Sequence, residues 1–295
     1  MSPAALSIPP RPEGYRGRIA PSPTGFLHVG HARTFWMAWS RARAAGGRVV
    51  LRNDDLDRDR VRPEFISGFI EDLKWLGMPW DEGPDIGGPT RPYSQSERMP
   101  QYAAALARLR EGGWIYPCTC SRREIAASVS APHAGDEEPI YAGTCRSRRL
   151  EDIPWGTRFS WRFRVPDGEA IGFVDGGFGP QSPVAGRDFG DFVVWRPDGV
   201  PAYQLACVVD DALMGITEVV RGEDLLLSTA RQRLLYRALG WSAPAFFHCP
   251  LIRDEQGIRL AKRHAALSIR ELRARGRTVA EVLGVGGSPG NGFFS

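Results

Sequence analysis

The sequence predicts an α/β protein built around a parallel sheet, because short apolar runs alternate with helical patterns along the chain. A strand, a turn-rich loop and a helix follow one another between residues 18 and 45. A second apolar run at 49–51 precedes a helical pattern at 63–76. A third run at 219–220 precedes a helical pattern at 226–239. This repetition is typical of strands joined by crossover helices.

The middle of the chain is less regular. It contains four further segments of strand or helix length, at 101–110 (helix), 115–118, 159–165 and 192–195 (strands). Residues 159–165 alternate as in an exposed strand. The polar stretch after residue 118, which ends near Cys145, is interpreted as an insertion. Residues 202–211 are apolar until they reach Asp210 and Asp211, to which we assign a structural role.

Composition excludes a disordered polyion and a membrane-spanning protein. The 295 residues include 38 basic and 34 acidic side chains, a net charge of +4, and 42% are hydrophobic. No stretch approaches the roughly 18 apolar residues of a spanning helix. Prolines interrupt the first fourteen residues, which carry no export signal. We therefore expect a cytoplasmic protein with no membrane contact, and we expect a monomer.

Charge is concentrated near the C-terminal end. Residues 253–277 hold eight basic and three acidic side chains, a local surplus of +5. Such a run suits a phosphate-rich partner such as ATP or RNA, although a solvated helix face has the same composition. The charge pattern alone does not decide between these two interpretations.

A loop with two histidines precedes the first helical pattern. The loop is Pro-Ser-Pro-Thr-Gly-Phe-Leu-His-Val-Gly-His, and His28 and His31 flank Gly30 at the start of the helix. Backbone N–H groups and the helix dipole favour an anion there, and glycine permits its close approach. His-x-Gly-His is a weak pattern by itself, since a capped helix with two surface histidines also fits it.

The wider string resembles the HIGH signature of class I aminoacyl-tRNA synthetases, in the version typical of glutamyl enzymes. Further motifs of that family follow in the same order, at 52–57, 203–211 and 218–225. Residues 259–263, Arg-Leu-Ala-Lys-Arg, resemble the second ATP-contacting signature, KMSKS, with Lys262 at its second lysine. The resemblance implies a Rossmann-like catalytic domain. It also implies that His28, Gly30, His31 and Lys262 bind ATP, with Mg2+, and form the catalytic group.

The resemblance further implies a pocket for L-glutamate. A closed site needs cationic donors for the side-chain carboxylate and an acceptor for the ammonium group. The family positions that line this pocket correspond to Arg18, Ala20, Ser22, Asp54, Tyr203 and Arg221. Asp54 is one methylene shorter than the family's usual glutamate, so its ammonium contact could pass through water.

Three of the five cysteines form a candidate metal site. Cys118 and Cys120 are followed by Cys145, and three thiolates supply three of the four ligands of tetrahedral zinc. The fourth ligand could be Tyr141, His133 or another group, and three reduced structural cysteines are the alternative. A Cys-x-Cys followed by Tyr-x-x-x-Cys resembles the zinc site of the glutamyl-queuosine tRNA(Asp) synthetases, which favours Tyr141 and a structural zinc.

This smaller family resembles the chain better than full-length glutamyl-tRNA synthetases do. The resemblance covers about residues 16–270, and the 25 that follow are too few for helical anticodon-binding domains. It implies ATP-dependent activation of glutamate without tRNA, then transfer to the queuosine base in the anticodon of tRNA(Asp). The alternatives are a short glutamyl-tRNA synthetase that charges the 3′ end and a catalytically inactive RNA-binding paralogue.

The predicted organisation combines these motifs. It consists of an N-terminal tail (1–15), the first half of the catalytic domain (16–115), the zinc-binding insertion and connecting region (116–190), the second half of the catalytic domain (191–252), the KMSKS-like loop with a basic helix (253–277) and a Gly-rich tail without an anticodon-binding domain (278–295).

Overall fold

The structure is a computed structural model that describes residues 6, 8, 13–121, 124–125, 140–251 and 267–284. The described residues divide into two compact units. The central unit comprises those between Arg98 and Gly215 and between Leu225 and Phe246. The N-terminal unit comprises the remaining described residues from Glu13 onward. Helices and strands occur in both units, which confirms the predicted α/β class.

The strands, in chain order, are β1 (Arg16–Ile19), β2 (Arg48–Leu51), β3 (Ile115–Cys118), β4 (Ser160–Phe163), β5 (Phe173–Asp175), β6 (Gly179–Gln181), β7 (Phe192–Trp195), β8 (Glu218–Gly222) and β9 (Ala245–Cys249). The helices are α1 (Val29–Ala44), α2 (Pro63–Trp75), α3 (Met99–Glu111), α4 (Tyr203–Leu213), α5 (Leu226–Leu239), α6 (Ile269–Ala274) and α7 (Val279–Leu283). None of the described helices is long and apolar enough to cross a membrane.

The predicted parallel pairing is present in the N-terminal unit. Strands β1 and β2 run parallel with Arg16 opposite Arg48, and α1 forms the crossover between them. On its other side, β1 approaches β8, because the N–H of Thr217 donates to the carbonyl of Arg16 at 2.9 Å. The loops that leave β1, β2 and β8 therefore begin within one small sheet region.

The core of the N-terminal unit lies between this sheet region and the helices. Small side chains of α1 let it lie close to β1, and Phe69 and Leu73 of α2 are buried in the same cluster. Helix α7 adds Val282 and Leu283, which are 3% and 4% exposed. The sequence predicted a Gly-rich tail from residue 278 onward, whereas Thr278 caps this short helix and its apolar face completes the core.

The central unit contains a three-stranded antiparallel sheet in the order β3, β4, β7. Ile115 lies opposite Phe163, and Phe163 lies opposite Phe192. The expectation of an exposed strand at 159–165 is wrong, because β4 is the middle strand and three of its four residues are buried. Strands β5 and β6 form a further antiparallel pair that the sequence did not predict, and Asp175 of β5 lies opposite Phe246 of β9 in parallel pairing.

A buried ion pair connects two helices of the central unit. Helix α4 buries Asp210 completely, and the Arg98 Nε donates to its Oδ1 at 2.6 Å. The Tyr102 hydroxyl lies 2.9 Å from the Asp210 Oδ2. These contacts agree with the structural role that the sequence assigned to Asp210. They also explain how α4 can carry a carboxylate on a buried face.

Replacement of this carboxylate tests its structural role. In Asp210→Asn, Arg98 keeps a buried positive charge and loses its ionised partner, so we expect the free energy of unfolding to fall by about 3–5 kcal/mol. Urea unfolding followed by circular dichroism measures this change. The control is Glu151→Gln, whose partner Arg149 is exposed, with an expected change of about 0–1 kcal/mol. Similar changes in both variants would contradict the assignment.

Candidate active site and metal centre

The loop between β1 and α1 ends in a histidine cap. His28 is the N-cap residue of α1, and its Nδ1 accepts a hydrogen bond from the N–H of Gly30 at 3.1 Å. In return the N–H of His28 lies 3.5 Å from the Nδ1 of His31. The two imidazole rings stack with their centroids 3.7 Å apart. Both predicted histidines are thus brought together at one helix N-terminus.

These contacts set the protonation state of the pair. Because each Nδ1 accepts, each neutral ring carries its proton on Nε2. Burial lowers the pKa of His28, and burial together with the nearby His28 lowers the pKa of His31. His31 keeps an exposed edge, and water at that edge limits how far the pKa of His31 falls. The pair therefore presents neutral N–H donors beside the positive end of the helix dipole, an arrangement suited to an anion.

Gly30 is required by the position of His28. A Cβ atom at residue 30 would lie 3.0 Å from the Cε1 and 3.1 Å from the Nδ1 of His28. Both distances are tighter than ordinary contacts, so a side chain would push the capping ring away from the helix. Glycine therefore preserves the geometry of the cap as well as access to it.

A cavity of about 430 Å³ opens beside His28 and is lined by Phe26, His28, Ser268, Arg270 and Glu271. The N–H of Ile269 donates to the carbonyl of Leu27 at 2.7 Å, which holds the start of α6 against the histidine loop. The Arg270 guanidinium lies 4.6 Å from the centre of the Phe26 ring. Sequence reasoning missed Phe26 as a lining residue, whereas Arg270 belongs to the basic run that it singled out.

Lys262 and His133 lie outside the described residues. The basic run at 253–277 is described only from residue 267 onward. The proposed contact of Lys262 with ATP therefore stays a prediction from the sequence. The same holds for the alternative in which His133 is the fourth metal ligand.

Two of the predicted glutamate contacts are buried arginines in the N-terminal unit. Arg18 in β1 is 5% exposed, and its Nη1 donates to the carbonyl of Val220 at 2.9 Å. Arg221 in β8 is also 5% exposed, and its Nε donates to the Nε2 of His248 at 3.1 Å. The sequence did not indicate His248 as a site residue, because it stands in an apolar strand and belongs to none of the motifs.

Asp54 lies close to the same loop. Its N–H donates to the carbonyl of Pro21 at 3.0 Å, which places it beside the residues that follow β1. Its carboxylate accepts from the Nε and Nη2 of Arg52 at 2.6 and 3.2 Å, and Arg52 is completely buried. The negative charge of Asp54 is thus balanced by a guanidinium from its own strand end.

The remaining predicted glutamate contacts lie in two places. Ala20 and Ser22 belong to the loop after β1 in the N-terminal unit, where Ser22 is exposed and its carbonyl accepts from the N–H of Thr24 at 2.8 Å. Tyr203 belongs to the central unit, where it is the first residue of α4 and 41% exposed.

The central unit brings the three predicted cysteines together. Their Sγ atoms lie within 4.8 Å of one another, at the end of β3 and in the segment that follows Tyr141. The Tyr141 Oη is 3.4 Å from the Sγ atoms of both Cys118 and Cys120, and the Cys120 and Cys145 Sγ atoms are 3.5 Å apart. The cluster could hold a metal ion.

These separations fit a tetrahedral zinc ion. Bond lengths of about 2.3 Å to sulfur and about 2.0 Å to oxygen imply S···S and S···O separations of about 3.8 and 3.5 Å. The N–H of Cys145 donates to the Tyr141 Oη at 2.9 Å, which fixes the phenol oxygen among the thiols. Three of the donor separations, from the Tyr141 Oη to Cys118 and Cys120 and between Cys120 and Cys145, are thus close to those of a tetrahedral zinc site.

The electrostatics of the cluster differ between its members. Burial opposes ionisation of Cys145, but hydrogen bonds from Tyr141, the Thr119 backbone and the two other thiols lower its pKa to about 7. Burial raises the pKa of Cys120 to about 11 and that of Tyr141 well above its ordinary value. A cation would reverse this balance, since it stabilises thiolate and phenolate.

The chain matches known proteins over most of its length. Residues 15–283 match the family model for the catalytic domain of class I tRNA synthetases (E and Q). The glutamyl-Q tRNA(Asp) synthetase of Nitratidesulfovibrio vulgaris is 52% identical over 91% of this chain and 84% of its own length. The protein of the same name from Symbiobacterium thermophilum is 54% identical over the same shares.

Longer relatives match as well. Glutamate–tRNA ligase 1 of Halorhodospira halophila is 44% identical over 86% of this chain and 54% of its own length. The crystal structure of a glutamate tRNA ligase from Elizabethkingia meningosepticum, in complex with its amino acid, superposes with a TM-score of 0.74 at 33% identity. That match covers 90% of this chain and 53% of the ligase. With the family match and the histidine-capped helix together, the chain belongs to the glutamyl and glutaminyl (E and Q) family of class I tRNA synthetases.

Proposed function

We propose that this chain uses ATP to activate glutamate and transfers the glutamyl group to the queuosine base in the anticodon of tRNA(Asp). The observation that carries the activation step is the histidine cap of α1, where two neutral imidazoles and Gly30 lie beside a cavity that Arg270 also lines. Two observations favour queuosine. Two glutamyl-Q relatives are 52% and 54% identical to this chain, against 44% for the glutamate ligase, and the matches cover 84% of their length against 54% of the ligase.

In the first step the α-carboxylate of glutamate attacks the α-phosphorus of ATP, and glutamyl-adenylate and pyrophosphate form. The carboxylate is already ionised at neutral pH, so this step needs no general base. Catalysis comes from alignment of the nucleophile with the leaving group and from neutralisation of phosphate charge. His28 and His31 donate to phosphate oxygens, Gly30 admits the phosphate chain, Lys262 stabilises the departing pyrophosphate, and Mg2+ accompanies the ATP.

Arg18 and Arg221 are the proposed partners of the glutamate carboxylate. Both are buried cations on β1 and β8, strands of the same unit that a hydrogen bond from Arg18 connects. A planar guanidinium matches a carboxylate in shape and charge. Ala20 and Ser22 provide the adjoining loop. The role of Tyr203, which belongs to the central unit, stays a prediction from the sequence. Asp54 is the proposed acceptor for the ammonium group, at a distance set by its contact with Arg52.

In the second step a hydroxyl of the queuosine cyclopentene ring attacks the activated carbonyl carbon. An ester forms, the bond between the carbonyl carbon and the phosphate oxygen of AMP breaks, AMP leaves, and the hydroxyl proton goes to solvent or phosphate. This reaction places the enzyme in the cytoplasm, where ATP and tRNA meet. Conventional charging of a tRNA 3′ end is the second candidate, because a glutamate ligase is 44% identical.

A structural zinc ion is the third part of the proposal, with Cys118, Cys120, Cys145 and Tyr141 as ligands. The separations of these donors support it. When bound, the ion would cross-link the end of β3 to the segment around Tyr141 and would take no part in either chemical step.

The two lysines of the chain offer a matched test of adenylate formation. We expect Lys262→Ala to lose most glutamate-dependent exchange of ATP with pyrophosphate, because a compact charge that stabilises the leaving group is removed. Lys74→Ala is the control, since Lys74 on α2 is 61% exposed and pairs with Asp85. It should keep normal exchange. Normal exchange in Lys262→Ala would contradict the role of Lys262, and no exchange in the unmodified protein would indicate an inactive RNA-binding paralogue.

The acceptor is tested by labelled glutamate and two tRNA preparations, one from cells that make queuosine and one from cells that do not. We expect label only in the first preparation, and only in tRNA(Asp), because the second preparation lacks the attacking hydroxyl. Equal labelling of tRNA(Glu) in both preparations would establish charging of the 3′ end instead. Nuclease digestion of the labelled tRNA distinguishes the two attachment sites, because the label stays with the anticodon fragment in one case and with the 3′-terminal adenosine in the other.

Removal of one thiol tests the metal centre. We expect the purified protein to contain one zinc ion per chain and Cys120→Ser to lose it, because the site keeps three donors at most. Atomic emission and a chelator-release assay measure the content. Cys249→Ala is the control, since Cys249 is a buried thiol of β9 outside the cluster. A zinc-free unmodified protein, or equal loss in the control, would remove the site.

A further inference from the structure

We propose that Arg162 is the counter-ion of the metal centre and the residue that positions Cys118 and Tyr141 for binding. This inference rests on the metal site described under the proposed function. It assigns to a strand residue outside the ligand set a role in metal affinity. The carrying observation is that one buried guanidinium contacts two of the four donors.

The contacts of Arg162 are direct. The residue is 5% exposed, and its Nε donates to the Cys118 Sγ at 3.3 Å. Its guanidinium carbon lies 4.2 Å from the centre of the Tyr141 ring, within range of a cation–π interaction. Its Nη1 donates to the backbone carbonyl of Asp191 at 3.0 Å, which anchors the group to the segment before β7.

The sheet register explains this position. Cys118 lies opposite Ser160, and Tyr116 lies opposite Arg162. Side chains two residues apart on a strand share a face, so Cys118 and Arg162 are diagonal neighbours on one face of the sheet. The guanidinium therefore reaches the sulfur from the middle strand, without help from the loops that carry the other ligands.

Charge gives Arg162 its effect on the metal. Three thiolates and one phenolate contribute −4, so a divalent ion leaves the centre at −2, or at −1 if the phenol stays protonated. Cys118, Cys145 and Tyr141 are all buried, and uncompensated charge is costly there. A guanidinium does not lose its proton in a protein, so Arg162 removes one unit of this excess in either case.

The neighbouring acidic residue has other partners. The Asp191 carboxylate accepts from the Tyr116 hydroxyl at 2.5 Å, from the N–H of Val165 at 2.8 Å and from Arg146 at 3.1 Å. Arg162 contacts the backbone carbonyl of Asp191 instead. Arg146 pairs with the carboxylates of both Asp191 and Asp167, while the Arg162 Nε faces sulfur.

The test measures zinc affinity by chelator competition in three variants of the full chain. Arg162→Met keeps much of the volume without charge, and we expect affinity to fall 10–100-fold, the usual effect of a lost partner of a metal ligand. Arg162→Lys restores the charge without the planar group, and we expect an intermediate loss. Arg164→Met is the control, because Arg164 is an exposed guanidinium from the same strand end whose ring contact is with Tyr116.

A spectroscopic readout separates positioning from general destabilisation. With Co2+ in place of Zn2+, the thiolate charge-transfer bands should shift in Arg162→Met and stay unchanged in Arg164→Met. Urea unfolding of the metal-free proteins shows whether each variant folds. If Arg162→Met does not fold, the zinc affinity of Arg162→Lys tests the proposal instead.

Two results would overturn the role of Arg162. They are wild-type affinity in both Arg162 variants and an equal loss of affinity in the Arg164 control. An unmodified protein that binds no zinc would instead overturn the metal centre itself, a result that appears before any variant is compared. Retained activation of glutamate in all variants is compatible with the proposal, because the readouts are affinity and spectrum.

Discussion

Burial of arginine is the constraint on which much of this structure depends. Of the 36 arginines in the chain, six that make the contacts described above have strongly buried side chains: Arg16, Arg18, Arg52, Arg98, Arg162 and Arg221. A guanidinium cannot be neutralised by losing its proton, so the fold must bring acceptors to it. Each acceptor comes from a segment distant in sequence or from a strand end, and these pairings fix where the segments lie.

The consequence is clearest in the N-terminal unit. Arg16 forms a two-pronged ion pair with Glu82 at 2.5 and 2.7 Å, and the Tyr93 hydroxyl donates to the same carboxylate. Burial alone would raise the pKa of Glu82, but these hydrogen bonds hold it below its ordinary value. The pair attaches the segment after α2 to β1. Arg52 and Asp54 form a similar ion pair at the end of β2. These ion pairs hold the strand ends from which the loops of the candidate site begin.

The same constraint limited what could be predicted from the sequence. Helix α1, helix α5 and strands β3 and β7 were predicted within a residue or two, because their apolar patterns follow their geometry. Strand β1 begins two residues earlier than predicted, since Arg16 reads as polar although it is buried. Helix α4 was not recognised, because residues 205–211 are all buried and read as one apolar run up to Asp210, a pattern that does not distinguish a helix from a strand.

The candidate sites were predictable to different depths for a physical reason. Candidate site residues that are close in sequence, such as His28 with His31 or Tyr141 with Cys145, leave a spacing that can be read from the chain. Partners that strand pairing brings together leave no such spacing in the sequence. His248 contacts Arg221, and Arg162 contacts Cys118, only after the strands pair.

The fourth candidate metal ligand, Tyr141 or His133, also shows the difference between what sequence spacing predicts and what the fold adds. Three residues separate Tyr141 from Cys145, so one short segment supplies two donors and a backbone N–H that holds the phenol oxygen. Spacing alone gave three ligands and left the fourth open. The backbone contact favours Tyr141, because an oxygen already fixed among three sulfurs loses little further conformational freedom when it binds an ion.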